Sequence, residues 1–222
     1  MATVTFDSMV LQIAPQVPGC PTAVISATIR KIATDLCERA KVWRVALTPV
    51  VLVSGTYNYS LVSPTAGTEV SSIIAASMAL TTTKAKKNLI PVTGDYIFNA
   101  DAYWPDVVNL NEPRFIFRLD ESSFNLSPVP GTADTYTLNM YAAIRPTLAG
   151  TTIDSGIASQ YQREIYHGVL HELMMIPDRV WSDDKKSLYH GKQWTFLLNS
   201  AKARANKGFG RTNITVNQSP WA

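Results

Sequence analysis

The sequence predicts an α+β protein: a small helical cluster built from both ends of the chain, an inserted β-rich module of sandwich or barrel type, and an extended C-terminal tail. Three observations predict it. Apolar residues recur at spacings of three and four near residues 25–40 and again after residue 154, the pattern of a buried helical stripe. Between them lie short runs rich in Val, Ile, Thr, Tyr and Phe, separated by Gly, Pro, Asn and Asp, which is the punctuation of strands. Beyond Gly208 there is no stripe and too little chain to fold alone. The expected organisation is an N-terminal arm (1–19), a helical domain (20–43 with 154–207), an inserted β-rich domain (44–148) and a tail (208–222).

The first helix is read from Pro21 to about Val42. Ile25, Ile29, Ile32, Leu36 and Ala40 form its stripe, and Pro21 suits a first turn, where a missing N–H costs nothing. Asp35 can pair with Arg39 one turn on. Seven strands follow: Trp43–Leu47, Val50–Val53, Tyr57–Leu61, Val70–Leu80, Arg114–Leu119, Ser123–Leu126 and Thr135–Ile144. PVPGTAD (128–134) reads as the turn before the last of them. In the less regular stretch 89–113, Tyr96, Phe98, Tyr103 and Trp104 read as core residues.

Helical spacing resumes with Asp154 or Ser155 as N-cap and a stripe of Ala158, Tyr161, Ile165, Val169 and Leu173, ended by Pro177. A third helix is expected to start at Ser182, with Asp183 and Asp184 at its positive end. Its face reads Leu188, Trp194, Leu198, Ala201 and Ala205, and Gly208 stops it.

Composition narrows the function. Of 222 residues 46% are hydrophobic and only 17% charged, so the core is sizeable and the surface thinly charged. A net charge of +3 is too small to make nucleic acid or an anionic membrane the main partner. No stretch approaches the roughly 20 apolar residues of a membrane span, and the opening MATVTFDSMVLQIAPQ lacks the basic start of a signal peptide. Two cysteines, Cys20 and Cys37, make no disulfide framework. The glycosylation-like triplets at Asn58, Asn125 and Asn213 carry no weight without secretion. A reducing cytoplasm, or a particle assembled in one, is the expected compartment.

YHGVLHELMM (166–175) invites a metal reading, because His167 and His171 are one turn apart and Glu172 follows. A zinc-protease helix needs H-E-x-x-H, with the general base between the ligands. Here position 175 is Met, and the inverted order fails at Leu170. His190 is the only other histidine, and a catalytic zinc needs three protein ligands. A metal-dependent hydrolase using His167, His171 and Glu172 is therefore an alternative, and packing beside Met174 and Met175 the stronger reading. No nucleophile elbow, Walker loop or dinucleotide fingerprint is present, so no catalytic residue and no cofactor is expected.

After Asp184 there is no acidic residue, while five Lys and two Arg follow. A matched helix end accounts for Lys202, Arg204 and Lys207, and a DNA-binding role for this basic helix is a further alternative. The tail is different: Ile214, Val216 and Trp221 are unusual in a disordered segment. It reads as a segment that orders on a partner's surface or sheet edge, with Trp221 as anchor, and folding back on the chain's own β-module is the alternative.

At these residues the sequence resembles a family. FDSMVLQIAPQVPGCP (6–21), then a helix ending CERAKVWR (37–44), is similar to the N-terminus of the adaptor, or head–tail connector, proteins of tailed bacteriophages, most like those of short-tailed phages. MIPDRVWSD (175–183), a Tyr–Trp helix and AKARANKGFGR (201–211) resemble the same family's C-terminal half. The resemblance spans residues 6–61 and 157–214 and is weaker across 80–112. It implies a structural virion protein of the tail or neck region without catalysis. Such a subunit forms a dodecameric ring with its own copies, binds the portal protein, meets tail nozzle or fibre proteins, and extends the channel through which genomic DNA passes without specific recognition. On this reading Arg211, Ile214, Val216 and Trp221 are the portal-binding residues. The flank of helix one, with Arg30, Lys31, Asp35, Glu38 and Arg39, is the subunit interface. A head-to-tail ring needs two different complementary faces, and a mixed-charge helix flank suits one of them.

Overall fold

Helices from the two ends of the chain meet against one curled sheet. The computed structural model describes residues 2–80, 86–100, 104–105, 112–131 and 136–207. A short strand β1 (Thr3–Thr5) leads directly into α1 (Phe6–Ile13), where the Thr5 hydroxyl accepts from the Ser8 N–H and Asp7 sits in the first turn. Phe6, Met9, Val10 and Ile13 of α1 are all buried, so residues 6–13 pack as a helix in the core. Their spacing of three and four escapes notice because it completes barely two turns.

The first long helix, α2 (Thr22–Ala40), follows the expected stripe: Ile25, Ile29, Ile32, Leu36 and Ala40 are buried. Ser26, Ala33 and Cys37 are buried as well, which widens the stripe because α1, the later helices and the sheet all pack around this one rod. Lys41, in the left-handed region at φ 53°, closes it by donating its N–H to the Cys37 carbonyl. Burial pushes the Cys37 thiol up to about 12, so it is an inert core residue.

The β-rich part is a half-barrel-like sheet, not a two-layered sandwich. Its strands are β2 (Arg44–Ala46), β3 (Val50–Val51), β4 (Asn58–Ser60), β5 (Thr68–Leu80), β6 (Lys86–Pro91), β7 (Phe115–Phe117), β8 (Ser123–Ser127) and β9 (Tyr136–Pro146). They run in the order β2-β9-β5-β6-β7-β8-β4, with β3 also on β9, and only β6 and β7 pair in parallel. The long pair β5 and β9 is its spine, aligned from Thr68 opposite Pro146 to Leu80 opposite Tyr136. Two register irregularities, between Val70 and Ser72 and between Ile73 and Ala75, interrupt that ladder; bulges of this kind bend and twist a sheet.

Each of the seven expected strands has a counterpart, whereas β6 was not foreseen, since KKNLIP does not alternate cleanly. A short helix α3 (Gly94–Ala100) follows it. Tyr96 and Phe98, read as core, are about half exposed. Trp104 meets Tyr57, Phe98 and Phe117 edge-on and donates its indole N–H to the Leu126 carbonyl. Tyr103 and residues 132–134 of the expected turn lie outside the described residues.

The chain returns to the helices through β10 (Thr152–Asp154), paired antiparallel with β1. Asp154 then caps α4 (Ser155–Gln160), accepting from the N–H groups of Gly156 and Ile157. A kink at Tyr161 separates α4 from α5 (Gln162–Met174), but the whole expected stripe from Ala158 to Leu173 is buried. The last helix, α6 (Asp184–Lys207), starts later than expected: the carboxylate of Asp183, not Ser182, accepts from the Lys186 N–H as cap, while Ser182 donates to the Met174 carbonyl.

The face of α6 also corrects the sequence reading. Leu188 is 66% exposed, and the inward positions are Ser187, Trp194, Leu198 and Ala201. Steps of 3.6 residues from Trp194 and Leu198 reach Ser187 and Gly191, leaving Leu188 a hundred degrees off that line. Small residues stand there because α5 comes close. A methyl group on Gly191 would lie 2.8 Å from His171 Cε1, and one on Gly168 of α5 would lie 2.6 Å from Ile32 Cγ2 and 3.0 Å from Trp194 Cε3. One hydrophobic cluster runs from α1, α2, α5 and α6 into β5, β8 and β9. None of the described helices is long and apolar enough to cross a membrane.

Candidate functional site

The three histidines gather where α5 meets α6, but not as the metal reading arranges them. Nδ1 of His167 lies 2.8 Å from Nδ1 of His190. Nδ1 of His171 lies 3.0 Å from the Ser187 carbonyl and 3.1 Å from its hydroxyl, which itself donates to the His171 carbonyl. Glu172 turns away to Lys31 of α2, 2.6 Å distant. Among the described residues no group of three His, Cys, Asp or Glu side chains is placed to hold a metal ion. These polar groups lock two close-packed helices in register, since hydrogen bonds between buried partners favour one alignment over others.

Burial lowers the pKa of His167, helped by the neighbouring His190 and Arg163; burial likewise lowers that of His190, helped by His171 and Lys186. Tyr166 and Tyr189 enclose the pair edge-on. Both imidazoles are thus held toward the neutral form, in which one Nδ1 donates and the other accepts.

Surface chemistry is concentrated on two flanks. On α2, all five charged residues singled out from the sequence have intramolecular partners. Arg30 donates to the Leu148 carbonyl at 2.6 Å, Lys31 meets Glu172, Asp35 meets Arg39 at 3.2 Å, and Glu38 meets Arg145 at 2.6 Å. Arg145 of β9 is a node: it also binds Glu69 at 2.7 Å and Glu121 at 3.4 Å. Nearby Arg118 donates to the carbonyls of Val70 and Ser71, and Asp120 accepts from the N–H groups of Ser122 and Ser123. Glu38, Arg118, Asp120, Glu121 and Arg145 line a cavity of about 290 Å³ together with Val70, Ser71 and Leu119. Sequence reasoning identified Glu38 but not its partners, because Arg145 is distant in sequence and meets it only through the fold.

On α6, Leu188 and Tyr189 project outward near the N-terminal end and Phe196 near the middle, with Lys185 and Lys192 on the same exposed side. Leu188, Tyr189 and Phe196 are thus left uncovered by the rest of the chain. The tail residues Arg211, Ile214, Val216 and Trp221 lie outside the described residues.

Histidines engaged in packing, and outward-turned apolar and charged side chains on α6, describe a chain equipped for contact with other macromolecules. Comparison with protein families agrees. The chain matches the family described as SU10 adaptor protein over residues 5–215, and it belongs to that bacteriophage adaptor family. Such a family implies interaction with other virion components. No curated protein matches the chain.

Proposed function

We propose that the chain is a ring subunit that joins the portal to the tail and extends the DNA channel, with no catalytic step. Adaptor-family membership across nearly the whole chain carries this reading. The exposed apolar and basic face of α6 supports it, because such a face is satisfied by contact with other chains. The ring is a dodecamer of identical copies in the neck of the virion, assembled in the host cytoplasm and serving as a platform for nozzle or fibre proteins. The charged flank of α2 (Arg30, Lys31, Asp35, Glu38 and Arg39) contributes to subunit contacts, beyond the intramolecular pairs it already makes. The tail, through Arg211, Ile214, Val216 and Trp221, docks on the portal. A net charge of +3 lets DNA pass without tight phosphate contacts, which would hold it in the channel.

The decisive measurement is the mass and symmetry of the assembly formed with the portal. A closed twelve-fold ring is expected, and a subunit that stays solitary beside every other head and tail component overturns the reading. Removing residues 208–222 leaves the fold intact and weakens portal docking; unchanged docking counts against the tail's role. Steeply salt-dependent duplex binding by the isolated subunit would instead favour a DNA-binding function for α6.

A further inference from the structure

The outward face of α6 combines two properties that together specify what covers it. Phe196 is 71% exposed and Leu188 66%. Around them, Lys185 and Lys192 are exposed, and no carboxylate occurs between residues 185 and 207. Two such faces repel each other, so this surface cannot be its own partner across a two-fold axis.

A complementary surface exists on a different flank of the same chain. The rim of the Arg145 cavity carries Glu38, Asp120 and Glu121, together with Leu119, which is half exposed, and Glu69 joins them through its ion pair with Arg145. Arg145 engages three of the four carboxylates, yet the Glu121 side chain remains 81% exposed. Counting Arg118 and Arg145 against the three acids that line it leaves this rim one charge negative, and two when Glu69, paired with Arg145, is included. The two surfaces lie on separate sides of α2. Its Ile32 side meets α6, with Gly168 lying between Ile32 and Trp194. Its Glu38 side reaches β9 through Arg145.

We propose that the α6 face around Phe196 and Lys192 docks on the acidic rim around Leu119 and Glu121 of a neighbouring copy. This rests on the ring reading and gives it a specific head-to-tail contact. A basic, apolar helix face and an acidic, concave rim with an apolar lip match in charge, and apolar groups at the centre supply the desolvated anchor that rim charges only orient. Because the two patches differ, each copy offers one to the next, and the contact propagates instead of stopping at a dimer.

The test uses virions assembled with a Leu119→Cys/Phe196→Cys chain in a Cys20→Ser background, treated with a flexible bismaleimide and run on a denaturing gel. A ladder of linked chains extending beyond the dimer is expected, and neither single cysteine variant gives it. Dimers alone, links to another virion protein, or links only within one chain each overturn the proposal. Many unlinked copies per particle also overturn it while leaving the ring intact; one copy per particle removes the ring itself. If the double variant yields no particles, charge reversal decides. Lys192→Glu and Glu121→Lys each reduce particle yield, and their combination in one chain restores it; a combination no better than the single variants overturns the contact.

Discussion

Nδ1 of His167 stands 2.8 Å from Nδ1 of His190, joining α5 to α6 through one shared proton position. Two imidazolium rings cannot make that bond, and Arg163 and Lys186 add positive charge around it, with Tyr166 and Tyr189 packed against the rings.

This pair makes stability depend on pH. Burial, then neighbouring positive charge, lowers both histidine pKa values in the folded state, so the unfolded chain binds more protons as acid is added. Stability is fully present above the unfolded histidine pKa of about 6.5 and falls as pH drops through it. Melting temperatures between pH 8 and pH 6, where carboxylates scarcely titrate, are expected to decline for the natural chain and less steeply for His190→Gln. Equal slopes would show that the pair is not the linked group.

Close helix packing at Gly168 is equally testable. Gly168→Ala puts a methyl within 2.6 Å of Ile32 and 3.0 Å of Trp194, both buried. Overpacking of this kind costs about 1–3 kcal/mol. Denaturant unfolding is the measurement, and an unchanged midpoint would mean that α2, α5 and α6 have room to separate.

Glu164 is buried, with 4% of its side chain exposed, and its carboxylate is held by Arg204, whose guanidinium also lies 5.2 Å from the centre of the Tyr161 ring. Arg204→Met leaves that carboxylate without its cation and is expected to destabilise by roughly 1–3 kcal/mol, the cost of an unsatisfied buried acceptor. Adding Glu164→Gln should return part of the loss. A double variant less stable than Arg204→Met alone would contradict this.

The register of α6 gives a paired prediction. Leu198 is 4% exposed and Leu188 66%. Leu198→Asp buries an unpaired charge and is expected to cost roughly 4 kcal/mol or unfold the cluster. Leu188→Asp should change stability by less than about 0.5 kcal/mol. Similar thermal shifts for both would mean that the helix is rotated from the orientation described.

The α2 stripe, the Asp154 cap and the stripe from Ala158 to Leu173 were legible because each depends on spacing within one segment, which periodicity reports. The N-terminal helix is too short for periodicity to report, and Leu188 passes for part of the α6 stripe because it is an apolar residue beside it. Which side of α6 faces inward depends on where α5 lies, and Gly168, Ser187 and Gly191 carry that signal only once the two helices are seen together. The candidate surfaces divide in the same way. Lysines without acids after Asp184 can be counted in the sequence, whereas the union of Glu38, Glu69 and Glu121 on Arg145 cannot.

By itself the sequence determined the class of fold, the helical stripes, the strand-rich middle and the likeness to phage adaptors, because local periodicity and ordered motifs are properties of neighbouring residues. Only the tertiary structure decided that the strands make one curled sheet, that the histidines pair across α5 and α6, and which side of α6 is left bare. Those outcomes depend on which distant segments share a core, and burial chooses among such pairings only when the whole chain is packed.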